Sequence, residues 1–248
     1  AGWQRDAAAW REACPRAELG LTYGPGERER LDLLWPDATG TDAPMAIFIH
    51  GGYWQGLDRS FASHLARGLN GHGVVVALPS YDLCPAVSVA AIMDQVRAAA
   101  AFLWRRHGRR MLAVGHSAGG HLAATLLATD WRGVSEDLPA DIITAALPVS
   151  GVFELEPLLP TTIARALNLT PAEARAVSPR WMPSPGRPTH CLVGGAESDE
   201  FIRQSRDMAA AWGGSWEALP GADHFTVVAP FADPASEVVQ RAAGMVPR

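Results

Sequence analysis

The stretch MLAVGHSAGGHLAATLLAT, residues 111–129, decides the fold. Its first four residues are apolar and predict a buried strand, and its last nine, HLAATLLAT, predict a helix. Between them, GHSAG (residues 115–119) matches G-x-S-x-G. A turn this sharp between a strand and a helix strains the backbone and lifts the serine side chain above the sheet. The stretch therefore predicts that Ser117 is a nucleophile, and the helix N-terminus behind it favours developing negative charge.

A second glycine-rich turn lies upstream of the serine. HGGYW (residues 50–54) directly follows the apolar run PMAIFI, which predicts a strand. Glycine lets the main chain approach a substrate oxygen closely. In sheets that carry G-x-S-x-G, backbone N–H groups from this loop and from the residue after the nucleophile form an oxyanion hole. The sequence thus predicts oxyanion-hole donors at Gly51, Gly52, Tyr53 and Ala118, with His50 orienting the loop.

The base and the acid of a catalytic triad are expected downstream of the serine, in the order carboxylate, then histidine. Of the eight histidines, only His224 follows the last predicted strand, in the polar loop PGADHF, and it is the candidate base. The candidate acids follow a predicted strand at 189–193, where Glu197 comes first and Asp199 is its rival. Only one carboxylate is needed to orient the imidazole. No histidine pair has further ligands at metal-binding spacing, so no metal is predicted.

Apolar strands alternate with amphipathic helices along most of the chain, which is typical of a mostly parallel sheet with helices on both faces. Together with G-x-S-x-G, this alternation predicts an α/β-hydrolase fold in a single domain over residues 1–248. The predicted strands cover 31–35, 44–50, 74–78, 111–114, 141–149, 189–193 and 215–219. The longer predicted helices cover 58–70, 87–107, 117–129, 200–212 and 231–243.

Residues 153–188 interrupt this alternation and are predicted to be an insertion after the strand at 141–149. The segment contains seven prolines and only short helix patterns, at 161–167 and 171–177. Insertions at the active-site edge of such sheets often become lids. A surface connection without a role in binding is equally compatible with the sequence.

The composition indicates which kinds of molecule the protein binds. Hydrophobic residues make up 48% of the chain and charged residues 19%, with a net charge of -5, which is typical of a globular protein. No basic run favours nucleic acid, and no apolar run reaches the roughly 18–20 residues of a membrane span. Three widely spaced cysteines (Cys14, Cys84 and Cys191) give no disulfide framework and fit a reducing compartment. These features, with no signal-peptide core at the N terminus, predict a cytoplasmic protein with a small-molecule substrate, and a homodimer stays open.

Further segments resemble one family. Besides GHSAGGHLAA, they are HGGYWQ (50–55), YDLCP (81–85), VSGVFELEPL (149–158), ESDEFIRQS (197–205) and GADHF (221–225). From about residue 20 to the final helix, the chain resembles the kynurenine formamidase (arylformamidase) family. The resemblance implies hydrolysis of N-formyl-L-kynurenine to kynurenine and formate in tryptophan catabolism, without a cofactor. It matches Ser117 to the nucleophile and His224 to the histidine. The family's V-G-x-x-D is V-G-x-x-E here, which puts Glu197 on the acid position and keeps Asp199 open.

The substrate pocket is less well defined by the sequence. Tyr53 and Trp54 are candidates to close a small acyl pocket and to stack on an aryl amine, although packing of Trp54 under the loop is equally compatible. Arg203 and Gln204 lie near the acid in sequence and are candidate donors to the substrate carboxylate. Two other functions stay open, a broad carboxylesterase that uses the same triad and a non-catalytic binding member of the fold. The intact serine, histidine and acid argue against the latter.

Overall fold

A sheet of eight strands forms the centre of the protein, in a computed structural model that describes residues 2–36 and 42–248. The strands are β1 (Arg16–Thr22), β2 (Arg30–Trp35), β3 (Met45–Ile49), β4 (Val75–Pro79), β5 (Met111–His116), β6 (Ile143–Val149), β7 (His190–Gly194) and β8 (Ser215–Leu219). Their spatial order is β1-β2-β4-β3-β5-β6-β7-β8. Strand β2 pairs antiparallel with both neighbours, and all pairs from β4 to β8 are parallel. The predicted mostly parallel sheet is therefore confirmed.

Helices connect most of the strands. Within the described residues they are α1 (Gly2–Ala13), α2 (Arg67–Gly71), α3 (Val89–His107), α4 (Ala118–Leu127), α5 (Trp131–Val134), α6 (Ala164–Leu167), α7 (Pro171–Ala176), α8 (Asp199–Trp212) and α9 (Glu237–Met245). The longest helix, α3, begins where the Ser88 hydroxyl accepts the N–H of Ala91 and ends at Gly108, which has φ 63°. No helix in the described ranges is long and apolar enough to cross a membrane.

The helices and the central strands bury apolar side chains on both faces of the sheet. Every residue of β3, β4 and β5 is buried, as expected for parallel strands covered on both sides. One face packs against α3, α4 and α8 through residues such as Leu122 and Met208. The other face packs against α2 and α9 through Leu69 and Val239, and Trp3 and Trp10 of α1 pack on that same side.

The larger differences from the predicted elements are these. Helix α1 and strand β1 were not predicted. The helix predicted at 58–70 is two 3-10 turns followed by the short α2, and Asp58 starts the first turn by accepting the N–H of Ser60. The last helix begins later than predicted, because Pro234 precedes it and the Ser236 hydroxyl caps its first turn.

The topology brings distant parts of the chain to one edge of the sheet. Strands β3, β5, β6, β7 and β8 are parallel, so the loops that follow them all emerge at their carboxyl ends. Ligands of open α/β sheets bind at this edge. The predicted nucleophile, acid, base and oxyanion loop all lie in these loops.

Candidate active site

Ser117 stands at the turn between β5 and α4 with φ 58° and ψ −117°, a conformation that L-residues seldom adopt. Its N–H donates to the carbonyl of Val149 over 2.8 Å. The flanking glycines are needed for steric reasons. A β-carbon at Gly115 would lie 2.1 Å from the oxygen of Gly119, and one at Gly119 would lie 2.0 Å from the oxygen of Ile49. Neighbouring strands therefore hold the strained turn in place, which accounts for the spacing of G-x-S-x-G.

His224 and Glu197 form a hydrogen bond across the loops that follow β8 and β7. The distance from His224 Nδ1 to Glu197 Oε2 is 2.6 Å, and the glutamate side chain is only 1% exposed. The other carboxylate oxygen accepts the Ser150 hydroxyl and, over 2.7 Å, the N–H of Gly194. Burial by itself raises the pKa of Glu197, but the hydrogen bonds from His224, Ser150 and Gly194 hold that pKa below its ordinary value. The carboxylate is therefore ionised at neutral pH.

Asp199 and Asp223, the other carboxylates of these loops, lie at positions that stabilise the local backbone. Asp199 is the first residue of α8, where a negative charge favours the helix dipole. Asp223 Oδ1 accepts the N–H groups of Phe225 (2.9 Å) and Thr226 (2.8 Å) and so shapes the loop that carries the histidine. Of the acids that the sequence left open, the one bonded to the imidazole is Glu197.

The loop after β3 runs close to the nucleophile. A β-carbon at Gly51 would lie 3.1 Å from Ser117 Cβ. Gly52 has φ 106°, and a β-carbon there would lie 2.3 Å from the oxygen of Gly56. Tyr53 continues the turn with φ 51°. The predicted donors of this loop therefore lie in a tight turn beside the serine, and Ala118 directly follows the serine as the first residue of α4.

His50 fixes the start of this loop. Its ring stacks on Tyr81 with centroids 4.3 Å apart and planes 8° apart. Its Nδ1–H donates to the carbonyl of Gly51 over 2.8 Å, and the Tyr81 hydroxyl donates to the carbonyl of His50 over 2.9 Å. Burial lowers the pKa of His50 to about 4. The ring is therefore neutral near pH 7, in keeping with an orienting function.

Trp54 lies beneath the loop and not in the cavity. Its side chain is fully buried and meets the ring of His121 edge-on, with centroids 5.0 Å apart. Of the two placements that the sequence left open for Trp54, the structure has the one in which the ring packs in the core under the turn. Behind the loop, Gln55 Nε2 donates to the carbonyl of Ile163 over 3.1 Å, and His121 Nε2 donates to the carbonyl of Val177 over 2.7 Å. Residues of the insertion thus contact the back of the loop.

A cavity of about 600 Å³ opens at the serine. The described residues that line it are Trp3, Gly52, Tyr53, Leu57, His116, Ser117, Ala196, Glu197, Ser198, Phe201, Asp223, His224 and Phe225. Three of its aromatic residues, Trp3, Phe201 and Phe225, were not predicted. No residue of 153–188 is among the lining residues, so the lid function considered for that insertion has no support from the described cavity wall.

Sequence reasoning also missed two polar residues beside the catalytic pair. Ser150, which bonds Glu197, follows β6 directly, and only its place next to the nucleophile strand could have signalled it. His116 lines the cavity, and its Nε2–H donates to the carbonyl of His224 over 2.8 Å. Burial lowers the pKa of His116 to about 3. The neutral ring thus holds the main chain of the His224 loop.

Arg203 and Gln204 do not face the cavity. Arg203 donates to Glu154 and Glu200. The carboxamide oxygen of Gln204 accepts the N–H of Phe153 over 2.6 Å. Both side chains tie α8 to the start of the insertion, which explains the segment ESDEFIRQS structurally. Among the described lining residues there is no arginine to pair with a substrate carboxylate.

The serine lies on a strained strand-to-helix turn and faces the same cavity as a histidine held by a glutamate. This is the arrangement of serine hydrolases with the α/β-hydrolase fold. The protein is one of them. Sequence comparison identifies the family. The chain is 34% identical to the kynurenine formamidase of Salmo salar over 229 residues, which cover 87% of this chain and 77% of the relative. The chain therefore belongs to the kynurenine formamidase family.

Other comparisons give a second relative of this family, a family model over part of the chain, and solved structures of similar fold. Identity to the kynurenine formamidase of Drosophila melanogaster is 32%, over 84% of this chain and 74% of the relative. The family model BD-FAE matches residues 31–138. The crystal structure of a putative thioesterase from Silicibacter sp. TM1040 superposes with a TM-score of 0.90 at 35% identity, covering 96% of this chain and 90% of that chain. An esterase from Pyrobaculum calidifontis, with a TM-score of 0.77 at 18% identity over 98% of this chain and 90% of that chain, shares the fold.

Proposed function

We propose that this protein hydrolyses N-formyl-L-kynurenine to kynurenine and formate. The observation that carries the proposal is the 34% identity to a kynurenine formamidase over 87% of the chain. The aromatic cavity supports it. A formyl group is the smallest acyl group, so almost all of the cavity of about 600 Å³ is left for the aryl amine. Because the described lining has no arginine, the substrate's amino-acid carboxylate is expected to point towards solvent.

The first half of the proposed reaction forms a formyl-enzyme. Ser117 Oγ attacks the formyl carbon while His224 Nε2 takes the hydroxyl proton. Since His224 Nδ1–H donates to Glu197, the lone pair for this transfer is on Nε2. The carbonyl electrons move onto oxygen, and the oxyanion is stabilised by backbone N–H groups. The proposed donors are Gly51, Gly52, Tyr53 and Ala118.

The intermediate then collapses with cleavage of the C–N bond. His224 returns the proton to the leaving nitrogen, so kynurenine departs as a neutral amine. A water attacks the formyl-enzyme with His224 as base, and the serine and formate are released. Throughout, the ionised Glu197 stabilises the imidazolium and does not itself take the proton. Removing these groups one at a time tests each role.

The direct test compares kcat/KM for N-formyl-L-kynurenine with kcat/KM for p-nitrophenyl acetate, with Ser117→Ala as the blank. The expected result is a value for the formamide well above that for the ester, and loss of both activities in the variant. Efficient ester hydrolysis with a negligible formamide rate would contradict the proposal.

A carboxylesterase acting on small acyl or aryl esters is the second candidate. The close superposition of the putative thioesterase from Silicibacter sp. TM1040 favours it, with a TM-score of 0.90. The same assay, extended to a thioester of acetate, separates the two functions. A third possibility, a non-catalytic binding protein, is tested by fluorophosphonate labelling of the wild type beside Ser117→Ala. Absence of labelling at Ser117 would favour it.

We propose that the chain acts in the cytoplasm as one domain, in which residues 153–188 brace the oxyanion loop. Cys84 and Cys191 are buried free thiols, which suits a reducing compartment. The bracing rests on the contacts of the insertion with Gln55 and His121. A single calorimetric transition whose van't Hoff and calorimetric enthalpies agree is expected of one cooperative domain. Two resolved transitions would contradict it.

A further inference from the structure

Helix α1 packs beside the oxyanion loop although it lies far from it in sequence. The Arg11 guanidinium donates to the carbonyl of Ser60 over 2.6 Å and to the Ser63 hydroxyl over 2.8 Å. Ala7, in the middle of the helix, is fully buried. These contacts dock the helix on the segment that directly follows the oxyanion loop, and they fix where its first turn lies.

The first turn of α1 reaches the cavity. Trp3 lines the same cavity as Ser117 and His224. Its ring centroid lies 6.1 Å from that of His116 and 6.1 Å from that of His64, tilted by 67° and 56°. The side chain is only partly buried in the protein. Neither the mechanism nor the family motifs assign a function to this tryptophan.

Other aromatic rings share the cavity with Trp3. Phe201 lies 4.5 Å from His224 between ring centroids, and Phe225 lies 5.7 Å from it. Both line the cavity. In a formamide the acyl carbon carries only hydrogen, so the group that occupies this aromatic space must be the leaving amine. Aromatic side chains favour a flat aryl ring through offset or edge-on contacts.

We propose that Trp3 binds the aryl part of the leaving group, and that α1 is thereby a wall of the substrate cavity that sets specificity for aryl over alkyl leaving groups. The identity of the physiological substrate in this inference rests on the proposed function. The preference for an aryl leaving group does not, because it can be measured with esters.

The experiment compares wild type, Trp3→Ala, Trp3→Phe and Trp10→Ala on three substrates. They are N-formyl-L-kynurenine, phenyl acetate and ethyl acetate, and the two esters differ only in the leaving group. Trp10 is the matched control, because it lies on the same helix, has its ring near Arg67 and does not line the cavity. Circular dichroism and thermal unfolding check that each variant is folded. If Trp3→Ala does not fold, Trp3→Leu replaces it, since leucine keeps apolar bulk without an aromatic face.

The expected result for Trp3→Ala is a loss of about tenfold in kcat/KM for the formamide and for phenyl acetate, mainly through KM. Ethyl acetate should change by less than about twofold, Trp3→Phe should recover most of the loss, and Trp10→Ala should keep the wild-type ratio of aryl to alkyl activity. An equal loss on all substrates, or no loss on any, would overturn the inference. If the wild type does not hydrolyse the formamide, the proposed function fails. The ratio of kcat/KM for phenyl acetate to kcat/KM for ethyl acetate then still shows whether Trp3 binds the aryl leaving group.

Discussion

The catalytic edge of the sheet and the aromatic wall of the cavity are held in different ways. The catalytic edge consists of Ser117, Glu197 and His224 with the loop at 50–57. Its residues are fixed by glycines with no room for a β-carbon and by the hydrogen bonds of Glu197. The aromatic wall consists of Trp3, Phe201 and Phe225, which come from separate segments. Trp3 and Phe201 pack against the core, and Phe225 is carried by the exposed loop that holds His224. We expect the edge to tolerate almost no change and the wall to be the part that adjusts the choice of substrate.

Glu197→Gln should have the largest effect on activity. Glutamine keeps the shape of the side chain but lacks the charge that orients and stabilises the imidazolium. We expect kcat to fall on the order of 10³- to 10⁴-fold. The matched control is Asp199→Asn, which removes a carboxylate two residues away that only starts α8 and should change kcat less than about twofold. A larger loss in the control than in Glu197→Gln would assign the acid to Asp199.

Gly119→Ala should destabilise the fold rather than the chemistry alone. Its β-carbon would lie 2.0 Å from the oxygen of Ile49, so β3 and α4 must separate. We expect the free energy of unfolding to fall by at least about 3 kcal/mol, measured by urea denaturation. Gly244→Ala is the control, because a β-carbon there has nothing within 4 Å. That variant should be neutral or more stable by up to about 1 kcal/mol. Equal effects at both sites would mean that the backbone does not fix the edge.

The edge could be predicted from sequence because its chemistry is tied to local patterns. G-x-S-x-G needs its glycines for contacts with adjacent strands, and the order of the parallel strands places the acid and the base. Asp199 and Glu197 could not be separated in this way. The spacing of the two carboxylates in the sequence does not show which of them contacts the imidazole. The hydrogen bonds of Glu197 with Ser150 and Gly194 hold its carboxylate against His224.

The wall could not be predicted because tertiary packing assembles it. Trp3, Ala7 and Trp10 recur at helical spacing, which is compatible with a helix, although α1 was not predicted. The surface that this helix covers cannot be predicted from the spacing, because it depends on the hydrogen bonds of Arg11 with residues 60 and 63. For the same reason the sequence left two placements open for Trp54, in the cavity or packed under the loop. The positive φ angles of the turn place its ring in the core.

Ser150→Ala should have an intermediate effect that depends on pH. Alanine keeps the β-carbon, so the backbone strain at φ 47° is unchanged while the hydrogen bond to Glu197 is lost. We expect about 1.5 kcal/mol lower stability at neutral pH and a loss of about tenfold in kcat. The bond helps to depress the pKa of Glu197 in the folded protein. Its contribution is therefore complete above the ordinary pKa of 4.5 and is lost as pH falls through the lower pKa of the folded state.

Urea denaturation checks the direction of this pH dependence. Wild type and Ser150→Ala are compared at neutral pH and at the lowest pH where both stay folded. The difference in stability should shrink on acidification. A difference that grows towards low pH would show that the hydroxyl does not stabilise the ionised carboxylate. Thr161→Ala, at an exposed hydroxyl that bonds only within the insertion, is the control and should show no such pH dependence.

Phe225→Ala should have the smallest effect on activity. It tests whether a residue of the aromatic wall affects substrate binding without affecting catalysis. The side chain is 68% exposed at the cavity mouth, so it offers a substrate only part of its ring. Its backbone N–H donates to the Asp223 carboxylate over 2.9 Å. Alanine keeps this donor, so the His224 loop should hold its shape. We expect KM for the aryl formamide to rise about two- to threefold with kcat unchanged. A fall in kcat as large as that of Glu197→Gln would mean that Phe225 positions the histidine. It would then belong to the catalytic edge and not to the aromatic wall.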